Sequence, residues 1–450
     1  MTSYKRLALL VLAAAAPLAG CQDILSSTDP DIILEAQSAS GALALKNGVL
    51  LRFAQALNGV QGPDAFFVFS GLVADEWRSG DTFVQRNNQD QRIWDPTNTF
   101  NADPYRRLNR VRTEGGAAIK ALRQYVPDST YLVGRMFALT AYVETLIAEN
   151  YCNGTPLSGL DGTTIVYGQP LSNDSVLGLA VAHADSALAT RAGRDSLRIR
   201  SLAAVVKGRA LLDRGQFAAA AAAVAGVPDT FKYQITHSVN ANTNQIFALN
   251  NNAKRYTMVD TEGVVGLNYI SANDPRLPRA TGTSSSTDLI FDSAFPLFVT
   301  RQGIWITTGA VSIVTGVEAR LIEAEALLRG GNTAGWLLAI NGLRTNTALY
   351  PTAQAGFTRG PNLVAIADTF ASNTSRMKTN FRERAFWMFS TGHRLGDMRR
   401  MVRQYAYPAD SIYPRGSYYK GGVFGTALML PVPFEEVNNP NFTQCANQDP

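Results

Sequence analysis

Three histidines, three cysteines and a few adjacent carboxylates are the residues in this 450-residue chain whose chemistry could be catalytic or metal-binding. His183, His237 and His393 lie far apart and belong to neither an HExxH nor an HxH pattern, so no metal centre is expected. GxSxG, CxxC and a phosphate-binding glycine loop are all missing, and no cofactor is implied. Ser375 and Lys378 form an S-x-x-K, which in penicillin-recognising enzymes sets a serine beside a lysine. The accompanying SDN and KTG elements are absent, and Ser375 reads instead as a helix N-cap. Asp75 with Glu76, and Glu435 with Glu436, are neighbours in sequence and therefore point apart on a helix or strand, unlike a glycosidase pair. The expectation is a protein that is not an enzyme.

Cys21 closes a different pattern. Lys5 and Arg6 precede an apolar run, Leu7 to Ala16, that is too short to span a bilayer, and Leu18, Ala19 and Gly20 lead into the cysteine. This resembles a bacterial lipobox, which implies cleavage before Cys21 and acylation of its thiol. Residues 1–20 then read as a lipoprotein signal peptide, 21–30 as a lipidated tether rich in Ser, Thr and Pro, and 31–450 as one folded domain. Two or more acyl chains, at ~0.8 kcal/mol per buried methylene, anchor a protein stably. Gln22 follows the cysteine where an aspartate would retain some lipoproteins at the inner membrane, which leaves the outer membrane open as destination.

Composition agrees with a large folded body, since 46% of residues are hydrophobic and only 17% are charged. The net charge of +5 falls to +3 once Lys5 and Arg6 are removed, with no basic cluster that would suit nucleic acid. Cys152 and Cys445 sit in turn-rich polar stretches, "YCNGTP" and "TQCANQ", and an exported compartment permits them to pair. Such a bridge would contribute an idealised ~5 kcal/mol, reduced by strain.

Helical periodicity dominates the elements that must position any site. Ala36, Ala39, Leu43, Lys46, Leu50, Phe53 and Leu57 form one seam, and Leu132, Met136, Leu139, Val143 and Leu146 another that should end near Asn150. Further helices are expected at about 104–125, 173–190, 196–213, 216–225, 312–329, 333–345, 376–390 and 394–404. "GRALLDRGQFAAAAAAVAG" from Gly208 and "AEALLRGGNTAGWLLAING" from Ala324 share a helix, a glycine turn and a small-residue helix, the plan of a tetratricopeptide unit. Residues 61–103 and 227–309 read as long loops with a few short strands, and their aromatics argue against disorder.

"FRERAFWMFSTGHRLGDMRRM", residues 381–401, resembles the "ER...EGHRWFDLRR" element of SusD/RagB-like outer-membrane lipoproteins. Glu383, Arg384, Gly392, His393, Arg394, Asp397 and Arg400 match it, whereas Trp387, Thr391 and Leu395 depart from it. Residues 317–344, "YCNGTPL" and 428–444 are similar to other segments of the family in the same order. The resemblance implies a mainly α fold of tetratricopeptide-like helix-turn-helix pairs with long loop insertions. It also implies a surface lipoprotein that binds an oligosaccharide, or in some members a peptide, and delivers it to a SusC-like, TonB-dependent barrel. The competing reading is a periplasm-facing tetratricopeptide lipoprotein that scaffolds outer-membrane protein assembly, which would need the helix pairs but not the aromatic loops.

Within the resemblance, the ligand site is expected at Trp77, Trp94 and Trp305, with Tyr151, Asn153 and Asp75 as polar neighbours. "ADEW" is similar to the family's "SDE" stretch, and Trp305 falls where family members place a sugar-stacking aromatic. An indole offers a flat apolar face to the C–H side of a sugar, while amides and carboxylates satisfy its hydroxyls. Trp336 and Trp387 lie in helical segments and are expected in the core.

Overall fold

The computed structural model describes residues 36–59, 64–161, 164–190, 195–283 and 288–450; the leader, Cys21 and the tether lie outside the described residues. The chain opens with α1 (Ala39–Asn58), capped by Ser38, and α2 (Phe66–Val73), followed by β1 (Trp77–Ser79) and α3 (Val84–Asp90). Two long helices follow, α4 (Thr99–Tyr125) and α5 (Thr130–Asn150). α4 starts several residues before its expected start, where Asn98 Oδ1 accepts the Phe100 N–H at 3.0 Å, and it carries Pro104 inside. α5 ends at Asn150 as its seam predicts, and its positions are buried almost without interruption from Ala138 onward. By length and composition it could cross a membrane, but here it is the centre of the fold.

Two tight hairpin-like pairings, β2 (Thr155–Pro156) with β5 (Pro170–Leu171) and β3 (Gly159–Asp161) with β4 (Thr164–Val166), lead into α6 (Asn173–Ala189). α7 (Ser196–Asp213) and α8 (Phe217–Val224) form the first of the two repeated units. The second is α9 (Gly316–Arg329) with α10 (Thr333–Thr345). Gly215 and Gly331 occupy equivalent turns with φ of +74° and +81°, a left-handed conformation that only glycine adopts at little cost. Helices stack onto their neighbours in sequence from α4 to α8, α9 packs on α8, and α10 and α11 (Asn373–Trp387) pack on α9. α12 (Arg394–Tyr405) crosses back onto α5 and α2. One contiguous apolar core threads all of these elements.

The inserted segment between α8 and α9 holds β6 (Lys232–Ile235), a π-helical turn at Phe247–Asn252, β7 (Tyr256–Met258), β8 (Arg279–Thr281), β9 (Thr300–Gln302) and β10 (Val311–Thr315). The pairings β1–β7, β6–β10 and β8–β9 are antiparallel.

Three expectations need correction. Residues 312–315 are strand, not helix, because the β-branched run "VSIVT" pairs with β6, and α9 begins only after Thr315 caps it by accepting the Glu318 N–H. Residues 61–103 contain α2, whose apolar "FFVFSGLV" is buried on every side and so shows no periodicity. Ser372, not Ser375, is the N-cap of α11. Ser375 completes a capping box, its Oγ accepting the Ser372 N–H at 3.1 Å while its own N–H donates to Ser372 Oγ. The pairing of Cys152 with Cys445 is present, with Cα atoms 5.9 Å apart, and Cys152 is fully buried in spite of its polar sequence neighbours.

Candidate functional site

The "ER…GHR…D..R" residues form a buried polar seam. Gly392, at φ +75°, turns the chain from α11 into α12 under the rings of Phe66 and Phe67, where a Cβ would come within 3.1 Å of both. Asp397 is clamped by Arg384 Nε at 2.8 Å and Arg400 Nη2 at 2.7 Å, and Arg400 also reaches Glu325 at 2.5 Å. Burial alone would raise the Asp397 carboxyl, but the two guanidinium groups hold it well below the usual carboxylate range. His393 Nδ1 lies 2.9 Å from Thr391 Oγ, whose hydroxyl donates to the Met388 carbonyl. Nε2 lies 2.8 Å from Arg209 Nη1. Glu318 Oε1 also lies 3.1 Å from Nε2; burial followed by the Arg209 charge lowers the His393 pKa, and Glu318 opposes that shift.

Three of the expected ligand residues belong to this seam or to the core beside it. Asp75 is fully buried, with Oδ1 3.3 Å from Arg394 Nε and Oδ2 accepting the Leu267 N–H at 3.1 Å. Glu76 accepts the Ser390 N–H at 2.7 Å, and burial raises its pKa to about 8. Trp77 has no exposed surface. Its Nε1 donates to Ser390 Oγ at 2.8 Å, and its ring meets Phe389 at 5.1 Å. Tyr151 is equally buried, edge-on to Tyr105 at 5.0 Å. A ring without an exposed face cannot stack on a sugar, so "ADEW" anchors the first loop to the α11–α12 turn, and Trp77, Tyr151 and Asp75 are not the platform.

The other three lie elsewhere. Asn153 is half-buried, and its Oδ1 accepts the Asn173 N–H at 2.9 Å near the disulfide. Trp94 is half-buried on the turn after α3. Trp305 is 9% exposed and lines a cleft of about 140 Å³ together with Trp387, Phe231 and Leu277. Its backbone is clamped by Gln302, whose Oε1 accepts the Trp305 N–H and whose Nε2 donates to the Trp305 carbonyl, both at 2.8 Å. Trp387, expected in the core, is only half-buried, and its Nε1 has no partner. The structure thus brings Trp305 and Trp387 together, but not Trp305 with Trp77.

The exposed aromatic surface is built from residues the sequence reading passed over. Phe83, at the start of α3, and Phe291, in the loop after β8, are 45% and 46% exposed. Arg255 lies between them, its guanidinium carbon 5.2 Å from the centre of the Phe83 ring and 3.8 Å from that of Phe291. Asp81 fixes that guanidinium by accepting from Nη1 at 2.5 Å. Beside them Lys420 Nζ donates to Asp292 Oδ2 at 2.7 Å and lies over both Phe295 and Tyr419, which meet edge to face at 6.1 Å. The shelf is set on a buried base: Arg86 pairs with Asp64 at 2.9 Å and with Asp81, and Tyr256 OH donates to Asp64 at 2.9 Å. "LIFDSAFPLF", residues 289–298, was the available signal, an aromatic-rich run in a loop otherwise dominated by Asn, Ser, Thr and Gly.

Neither a family model nor a curated protein matches the sequence. Solved structures do match. A SusD superfamily protein from Parabacteroides distasonis superposes with a TM-score of 0.66 at 12% identity, covering 92% of this chain and 100% of that one. A SusD superfamily protein from Bacteroides thetaiotaomicron gives 0.63 at 13% identity over 92% and 99% of the two chains. The fold is SusD-like. A SusD-like carbohydrate-binding protein from Bacteroides vulgatus gives a TM-score of 0.60 at 14% identity over 90% and 97% of the two chains. In this SusD-like chain the mainly α scaffold of helix pairs carries the insertions from which both the shelf and the Trp305 cleft are made.

Proposed function

We propose that this chain is a non-catalytic lipoprotein, anchored through Cys21 and facing the cell exterior. It captures an oligosaccharide on the Phe83–Arg255–Phe291 shelf and delivers it to a SusC-like, TonB-dependent outer-membrane barrel. The observation that carries this reading is the pair of exposed rings, Phe83 and Phe291, that both meet the Arg255 guanidinium, which Asp81 holds in place. The aromatic faces suit the C–H side of pyranose rings, and Arg255, whose side chain is partly exposed, supplies donors for hydroxyls that binding would strip of water. The carbohydrate-binding description of a structural neighbour supports the same ligand class. The Trp305–Trp387 cleft, at about 140 Å³, is large enough for a single ring and is the second place where an oligomer could be gripped.

The test has two arms. A glycan array probed with the purified chain should retain an oligosaccharide class that the Phe83→Ala/Phe291→Ala double variant no longer retains. Retention of peptides alone would replace the ligand class. Affinity purification from native outer membranes should recover a TonB-dependent barrel; recovery of periplasmic assembly factors alone would favour the scaffold reading.

A further inference from the structure

A second cleft, of about 400 Å³, opens between the first turn of α6, the end of α7, the C-terminal half of α12 and the last residues of the chain. Its arginines differ in what they meet. Arg214 is paired with Asp174 through contacts of 2.9 and 3.1 Å. Deeper in the fold Arg209, Arg384, Arg394 and Arg400 each meet a carboxylate. Among the described residues, Arg399 and Arg403 make ion pairs with none. Arg403 Nη2 donates to the Asp213 carbonyl at 2.8 Å.

Arg399 is 2% exposed and uses one nitrogen, Nη1, to bond the carbonyls of Ala148, Glu149 and Tyr151 at the C-terminal end of α5, at 3.0, 2.7 and 3.0 Å. Its other edge is nearly idle: Nε has no partner, and Nη2 makes a single long contact, 3.4 Å, with the Asp449 carbonyl. The Nε/Nη2 edge of a guanidinium is a fork that matches the two oxygens of a carboxylate, sulfate or phosphate. Of the nearby acids, Asp174 is committed to Arg214 and Glu149 to Arg209; Asp213 meets Arg400 at 3.1 Å through Oδ1 while its buried Oδ2 has no hydrogen-bond partner, and Asp449 is exposed at the rim. Burial, and then the neighbouring Arg403 charge, bring the Arg399 pKa down to about 10, against the opposing effect of Tyr413, Asp213 and Glu149.

We propose that this cleft binds a small oxyanion, a carboxylate, sulfate or phosphate group, through the Nε/Nη2 edge of Arg399 and the guanidinium of Arg403. Asn153 lines the same cleft and can offer its side-chain Nδ2 to the rest of the bound group, whereas the Gln404 amide is spent on the Leu212 and Asp213 carbonyls. The site is separate from the aromatic shelf and does not depend on the ligand proposed for it.

Titration calorimetry of the full chain at fixed ionic strength, with sodium sulfate, inorganic phosphate and glucuronate as separate probes against a chloride background, tests the site. At least one probe is expected to bind at one site per chain, and Arg403→Gln, at the exposed rim, should weaken it about tenfold or more. A preference for sulfate or phosphate identifies an inorganic or ester anion as the source, and a preference for glucuronate an acidic sugar. The melting temperature supplies the second reading: the binding anion should raise it in the native chain and raise it less in Arg403→Gln. Phe83→Ala/Phe291→Ala should leave both readings unchanged. Absence of heat with all three probes, or equal affinity and equal thermal shift in Arg403→Gln, overturns the proposal.

Discussion

The seam between α11 and α12 and the shelf over α3 use the same ingredients, arginines with carboxylates and aromatic rings, to opposite ends. In the seam every ring and charge is sealed. Arg384, Arg394, Arg400 and Asp397 are each at most 5% exposed, and the pairs among them join α9, α11, α12 and the first loop. At the shelf only the lower layer is sealed, Arg86 with Asp64 and Asp81, while Phe83 and Phe291 lie open. A buried ion network adds little net stability over an apolar core, yet breaking one partner strands a charge. Its benefit here is geometric, because it fixes where the loops leave the scaffold. Open rings do the reverse: they cost little to remove and matter only when something lands on them.

The sharpest way to break the comparison is to mutate one member of each region. Arg400→Ala leaves Glu325 buried without a cation and Asp397 with Arg384 alone, and is expected to destabilise the chain by roughly 3–5 kcal/mol or prevent folding, read by denaturant unfolding. Phe291→Ala should lie within about 0.5 kcal/mol of the native chain. A seam variant as mild as the shelf variant would remove the distinction.

Trp305 tests which side of the line the second cleft falls on. At 9% exposure it is mostly packed, so Trp305→Ala should cost about 3 kcal/mol or more by denaturant melt, whereas Trp94→Ala, half-buried, should cost clearly less. Cys152→Ser should cost roughly 2–5 kcal/mol, measured the same way, because the bridge ties the C-terminal segment to the turn after α5.

Glu76 gives a smaller effect with a sign that pH reveals. Its pKa is raised from 4.5 in the unfolded chain to about 8 in the folded one, with burial as the main cause, so the fold prefers the protonated form. The contribution is therefore fully present below about pH 4.5 and is lost as pH rises toward 8. Glu76→Gln keeps an oxygen for the Ser390 N–H and cannot ionise, so its melting temperature should exceed that of the native chain at pH 8 and converge with it near pH 4.5.

How much of this was legible differs between the same two regions. The scaffold was readable because half-buried helices such as Thr99–Tyr125 and Thr333–Thr345 carry their periodicity openly. α2 was not, since a segment buried on all sides has no polar face to set the period. The seam residues were visible as a motif, but their partners were not: nothing in "ADEW" announces that Asp75 meets Arg394, more than 300 positions away. The shelf failed for another reason. Tryptophan is the strongest stacking surface, and so Trp77 drew the prediction, yet size also makes tryptophan a core residue, and Trp77 and Trp336 are both fully buried. Phe83 and Phe291 are indistinguishable by type from the many phenylalanines that pack inside, and only the fold sets them on either side of Arg255.

The account stands or falls on whether that open shelf holds sugar. The decisive measurement is titration calorimetry of the oligosaccharide selected from the glycan array against the native chain and Phe83→Ala/Phe291→Ala, with melting curves alongside. The account predicts that the double variant melts with the native chain and binds at least about tenfold more weakly, each lost stacking contact accounting for roughly 1 kcal/mol. Undiminished affinity in a variant that melts normally would contradict it.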